Sequence, residues 1–250
     1  MSIETRLAAN QRVISHRGGG ALAPENTLSG IKYARNLGFH NTHFDVRLTA
    51  DGVPVLQADD SSTSASGKEN LISELFFDQI SETDVGSIYG NEYAGESMPT
   101  LYQALGTCKE HEMLPLIELL PAPGQERSIA QIAVDILRKV WDQRALSPIF
   151  ISANASTLEA IMEEEPTVAR GLKWNSDVTT NEDEHQNLQC QTILITGRLI
   201  TSDLVRALHR NNHLIIATNV NDSADATALI HLKVDAIMTD QIDMIGPYFF

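Results

Sequence analysis

The sequence predicts an α/β fold closed into a TIM (β/α)8 barrel, and three observations carry that prediction. Short runs with strand character alternate with stretches of helical period, the pattern of a parallel sheet with helical crossovers. Nine extended runs can be read from the chain, one more than the eight strands of such a barrel, and a turn signal accounts for the excess. At 250 residues the chain has the length of one barrel domain.

Taken in order, the first run is Val13–Ser15, an apolar segment that reads as a buried strand. A helix opens just beyond Thr27, with Asn26 or Thr27 as its cap. Thr42–Leu48 and Val53–Ala58 follow, separated by Asp51-Gly52. Asp-Gly is a two-residue hairpin signal, because both positions accept a positive φ. Under that register Asp45 lies across from Ala58 and His43 across from Asp60. The alternative is that Asp51-Gly52 opens another parallel strand. Further strands are expected at Leu114–Leu119, Ile149–Ser152, Ala169–Trp174, Thr192–Ile195, Leu214–Thr218 and Ala236–Thr239. Helical period is clearest at Ser128–Trp141, Ser156–Glu164, Thr201–Arg210 and Asp222–Leu232. Residues 60–112 hold no convincing barrel strand. Ser61–Gly67 is polar and loop-like, and Leu71–Gly95 mixes short helical patterns with turns.

Composition narrows the function classes. The formal net charge of −15 argues against a nucleic-acid or anionic-membrane surface. The first residues lack a basic-then-apolar leader, and no apolar run has the length of a membrane helix. Cys108 and Cys190 show no metal spacing and read as free thiols of a reducing compartment, so a cytoplasmic location is expected.

The chemistry concentrates at strand ends. His16-Arg17-Gly18-Gly19-Gly20 follows the first strand, and Pro24-Glu25-Asn26-Thr27 precedes the first helix. In α/β proteins that end of the strands is where ligands bind. His43 and Asp45 are two apart on a strand, so they share a face at roughly 6.6 Å between Cα atoms. Glu118 interrupts the apolar strand Leu116–Leu119, where a lone carboxylate is costly unless paired with a cation or metal. His43 is equally compatible with a core histidine bonded to a neighbour.

His16-Arg17-Gly18, Pro24-Glu25-Asn26-Thr27 and Phe44–Val55, in this order and strand context, resemble the glycerophosphodiester phosphodiesterase family. The resemblance implies a TIM barrel with a small insertion, here 60–112, covering the active-site face. It implies hydrolysis of a small glycerophosphodiester to an alcohol and glycerol phosphate, with a divalent cation (Mg²⁺, Ca²⁺ or Mn²⁺) as cofactor. A bound cation also resolves the pairing of an acidic chain with an anionic substrate. His16 is then the proton-transfer residue. His43, Asp45 and Glu118 stand at the metal positions, where the family has two glutamates and an aspartate. An imidazole among them shifts preference towards Mn²⁺ or Zn²⁺. Arg17, Glu25 and Lys173 become the substrate-binding set, Arg17 as a guanidinium fork on phosphate and Glu25 orienting it. Arg17 and Glu25 are alternatively a structural ion pair at the barrel mouth.

Four positions depart from the resembled pattern. Ala58-Asp59 stands where the family has His-Asp, Leu120 where it has Lys, Ala217 where it has an aromatic wall of the glycerol pocket, and Tyr102 where it has Glu. Ala58 cannot transfer a proton, and loss of one positioned acid or base costs roughly 10²–10⁴-fold. His43 is one replacement, Asp59 or Asp60 another. The competing reading is a catalytically weak or dead homologue that binds a phosphate-bearing ligand. His40, His111, His185, His209, His213 and His231 are expected on surfaces or crossovers.

Overall fold

The computed structural model describes residues 7–8, 11–63, 69–142, 146–174 and 187–250. In chain order the elements are β1 (Val13–Ser15), α1 (Leu28–Asn36), β2 (Asn41–Leu48), β3 (Pro54–Leu56), β4 (Ser61–Thr63), β5 (Glu69–Leu71), α2 (Leu101–Glu110), β6 (Leu114–Leu119), α3 (Glu126–Val140), β7 (Ile149–Ser152) and α4 (Ala155–Glu164). They continue with β8 (Ala169–Trp174), β9 (Thr192–Thr196), α5 (Ser202–Arg210), β10 (Leu214–Thr218), α6 (Ser223–His231) and β11 (Ala236–Thr239). Strands β1, β2 and β6 to β11 form a closed parallel barrel, a TIM barrel with its helices outside. The seam closes between β1 and β2, where Ser15 faces Thr42.

Alternation along each strand builds two apolar layers. Ile14, Leu116, Ile149, Ile151, Leu194, Ile216 and Met238 fill the barrel interior. Their neighbours Val13, Ile117, Phe150, Ile193, Ile215 and Ile237 face the helices. Strands buried on both faces need such near-continuous apolar runs. Ala217 belongs to the helix-facing layer and is fully buried there. It lines no substrate pocket, which corrects the expectation of a missing pocket wall: the strand places residue 217 on the outside. Trp174 is buried in the same layer. Tyr102 is exposed on α2.

The ninth extended run is β3, antiparallel to β2, so the hairpin reading holds. Its register does not. Val46 faces Leu56 and Leu48 faces Pro54, and Gln57 N donates to Asp45 O. Gln57 therefore lies beside Asp45, where Ala58 was expected, and β3 ends at Leu56, so His43 has no partner at Asp60. The turn explains the shift. Gly52 N closes onto Thr49 O, only Gly52 has a positive φ (+80°), and Thr49 Oγ1 accepts from Val53 N. This is a type I turn followed by a left-handed glycine, a three-residue loop. One extra loop residue slides the register by one.

Beyond β3 the chain forms the β4–β5 hairpin and 3₁₀ turns at Ile72–Glu74, Phe77–Gln79, Ser87–Tyr89 and Asn91–Tyr93. Part of the predicted Ser61–Gly67 loop lies outside the described residues. Val55, Ile72, Leu75, Ile80 and Met98 make a small separate core under this segment. Asp84 accepts from Ser87 Oγ and from the backbone N–H groups of Gly86, Ser87 and Gly95, which depress its pKa. Glu96 accepts from Ser29 N and Oγ, tying the segment to the first turn of α1. Thr100 and Gln103 form a reciprocal capping box that starts α2.

Among the described residues no helix is long and apolar enough to cross a membrane. Cys108 and Cys190 are buried and form no disulfide. His213 lies in the α5–β10 crossover, buried there, with Nδ1 on Cys190 O at 3.0 Å. His209 bonds Asp235 at 2.8 Å. His185 lies outside the described residues.

Candidate active site

The site assembles at the C-terminal mouth of the barrel from β1, β2, β6, β8 and β11. His16 follows β1, and its Nδ1 lies 2.5 Å from Asp240 Oδ1 at the end of β11. Burial pushes the Asp240 carboxyl up, but His16, Asn221 and Arg17 outweigh it and hold it below the usual range. Asp240 is therefore the acceptor and His16 Nδ1–H the donor, which leaves Nε2 as the basic nitrogen. Asn221 fixes the carboxylate by donating to Oδ2 at 2.8 Å and accepting from Asp240 N at 2.9 Å. Gly20 permits the close approach: its φ is +57°, and a Cβ there would sit 2.3 Å from Asp240 O.

His43, Asp45 and Glu118 come together as expected. Asp45 and Glu118 are register partners on β2 and β6. One donor atom from each of the three lies within 4.8 Å of the others, and all three residues are buried. His43 Nε2 is 3.1 Å from Glu118 Oε2. Lys173 Nζ donates to Glu118 Oε1 and Oε2 at 2.7 and 2.9 Å. Burial pushes Glu118 up, yet His43 and Lys173 outweigh it and hold the carboxyl at about 2. Burial draws the His43 pKa down, more than Glu118 and Asp45 raise it. Neutral His43 thus donates Nε2–H to ionised Glu118. Its Nδ1 is then a buried lone pair with no hydrogen-bond partner among the described residues.

Arg17 binds Glu25 through Nη1 at 2.9 Å, and its Nε lies 2.9 Å from Asp45 Oδ2. That Nε–H is buried and aligned with no acceptor among the described residues. Burial lowers the Arg17 pKa, and Asp45, Glu25 and Asp240 together raise it above the ordinary value. Arg17 adopts a φ of +51°, strain of about 1–3 kcal/mol held at the mouth by its neighbours. Tyr89 reaches this rim. Burial and the charge of Glu25 raise its pKa against a hydrogen bond to the Glu25 backbone.

All seven residues expected from sequence meet at one mouth. His16 and His43 stack at 5.1 Å between ring centroids. Asp240, Asn221 and Asn26 were missed. Thr27 caps α1, accepting from Gly30 N at 3.0 Å. Asn26 instead clamps Asp45, donating from Nδ2 to Oδ2 at 3.1 Å and accepting from Asp45 N at 2.9 Å. The signal for Asp240 was its place directly after Thr239 at the end of the last strand.

The donor set fits a divalent cation. The four carboxylates Glu25, Asp45, Glu118 and Asp240 outnumber the cations they pair with, Arg17 and Lys173, so the cluster stays net negative. The orphaned His43 lone pair adds a neutral ligand beside Asp45 and Glu118.

His43 also predicts an acid response of the metal-free protein. A histidine with a depressed folded pKa binds more protons when unfolded, so stability falls as pH drops below about 6.5 and levels off below the folded pKa. The thermal midpoint of wild-type protein is expected to fall as the pH drops below about 6.5. His43→Gln should flatten that slope, and an unchanged slope would show that His43 is not held neutral.

The sequence pattern of the glycerophosphoryl diester phosphodiesterase family matches residues 16–244. A glycerophosphodiester phosphodiesterase of Caldanaerobacter subterraneus is 27% identical over 91% of this chain and 93% of its own length. An Oleispira antarctica phosphodiesterase, solved with the product sn-glycerol-3-phosphate, has a TM-score of 0.88 and 29% identity, covering 94% of each chain. A glycerophosphodiester phosphodiesterase structure from Parabacteroides distasonis shares the fold, with a TM-score of 0.77, 23% identity, and coverage of 93% of this chain and 94% of that one. With the match spanning nearly the whole barrel and its mouth, this chain belongs to the glycerophosphoryl diester phosphodiesterase family.

Proposed function

We propose that this protein hydrolyses a small, soluble glycerophosphodiester to glycerol phosphate and an alcohol. The observation that carries the reading is the His16–Asp240 dyad set beside the buried His43–Asp45–Glu118 cup and its two cations. Asp240 holds the tautomer that leaves His16 Nε2 free to take a proton from an attacking hydroxyl. Arg17 offers the diester its unaligned Nε–H, and Lys173, half-exposed above Glu118, offers a second positive charge. His43, Asp45 and Glu118 would hold a divalent cation, which when bound supplies charge neutralisation and polarises a phosphoryl oxygen. The residues between β5 and α2 would cover this face, with Tyr89 at its rim.

The test is release of glycerol phosphate from deacylated phospholipids with Mg²⁺, Ca²⁺ or Mn²⁺. Turnover that depends on one of these ions is expected, and none with any ion defeats the reading.

Ala58 favours a second reading, a catalytically weak homologue that retains phosphate binding. No side chain at 58 can donate a proton, so leaving-group protonation lacks the residue the resemblance implies. Ala58→His separates the two. Under the weak-homologue reading it raises turnover by about 10²-fold or more. Unchanged turnover in an already active protein shows that the acid comes from elsewhere.

A further inference from the structure

We propose that Arg47 is a third phosphate-binding cation of this mouth. The inference rests on the hydrolase reading above and adds a residue that reading does not use. Arg47 follows Asp45 by two on β2, so its side chain leaves the face that carries His43 and Asp45, one step nearer the mouth. Its Nε and Nη2 both donate to Ala58 O, at 3.1 and 2.8 Å. One carbonyl thus pins one edge of the guanidinium. A guanidinium has five N–H donors, and those of Nη1 meet no acceptor among the described residues.

Arg47 makes no ion pair among the described residues. Burial draws its pKa down, while Asp60, Asp45, Asp59 and Glu118 act on it from beyond contact. A half-buried cation without a direct counter-ion is costly, and an anionic ligand offsets that cost. The space beside it suits one. A cavity of about 150 Å³ is lined by Arg47, Leu48, Asp60, Ile72, Leu120 and Gln125 among others. Its apolar walls strengthen charge-assisted hydrogen bonds. Leu120 stands beside Arg47, since Leu120 N donates to Val46 O. Arg47 and Leu120 each follow the register partners Asp45 and Glu118 by two residues, one same-face step nearer the mouth, so the ligand inferred is an oxygen of the same diester that Arg17 and Lys173 engage.

Calorimetric titration of inorganic phosphate and sn-glycerol 3-phosphate, with Mn²⁺ present, tests this. Arg47→Met is expected to weaken both by about 10- to 100-fold, the worth of a charge-assisted hydrogen bond. The double variant Arg47→Met/Leu120→Lys should recover most of that loss, because position 120 faces the same cavity. A structural role would not be rescued from there. Wild-type affinity in Arg47→Met, or a loss that Leu120→Lys fails to recover, overturns the proposal. Wild-type protein that neither binds these probes nor turns over a diester overturns the hydrolase reading itself.

Discussion

Replacing His16 with Gln is expected to lower glycerophosphodiester turnover by about 10²–10⁴-fold, the usual contribution of one positioned acid or base. Phosphate affinity and thermal stability should change little. The side chain is mostly buried, but its hydrogen bond is to the partly exposed Asp240, and Nε2 has no hydrogen-bond partner among the described residues. Gln keeps a donor for Asp240 and loses only the nitrogen that accepts a proton. A companion, Asp240→Asn, keeps the shape but offers an amide in place of a carboxylate. It removes the charge that holds Nδ1–H, so turnover should fall. His16→Gln protein that works within threefold of wild type would show that the proton is moved elsewhere.

Glu118→Gln should remove the response to divalent cations. In wild-type protein Mn²⁺ binding raises the thermal midpoint with the logarithm of ion concentration over its dissociation constant. Outer partners of metal ligands alone command about 10–100-fold in affinity, so loss of a carboxylate ligand should cost more. The metal-free variant should also be less stable. Removing one member of a buried ion pair costs about 3–5 kcal/mol. The Lys173 side chain retains 31% exposure, so solvent recovers part of that, and about 1–2 kcal/mol is expected. Thermal melts of both proteins with and without Mn²⁺ measure the two effects together. A variant that still gains stability from Mn²⁺ places the ion elsewhere.

Most strands and helices were legible because each is a local pattern. Ile149–Ser152 and Leu114–Leu119 read as strands from their own residues, and the barrel forms them with those bounds. α3 begins two residues before its expected start, at Glu126, since no side chain caps it to mark the boundary. The hairpin was legible but its register was not. Asp-Gly serves two-residue and three-residue loops alike, and the choice was made by Thr49, whose hydroxyl bonds both Asp51 and Val53. That one-residue difference set Gln57 beside Asp45 and left Ala58 O to Arg47.

What the sequence determined by itself was the order of strands and the side of each strand on which His43, Asp45, Glu118 and Lys173 lie. Alternation and parallel crossovers are properties of neighbouring residues, so they can be read without coordinates. Only the tertiary structure decided which groups touch. His16 and Asp240 are separated by 224 positions, and they meet because the last strand closes the barrel against the first. Asn26 clamps Asp45, and Lys173 reaches Glu118, for the same reason: closure brings strand ends together, and no local pattern encodes the distance across the mouth.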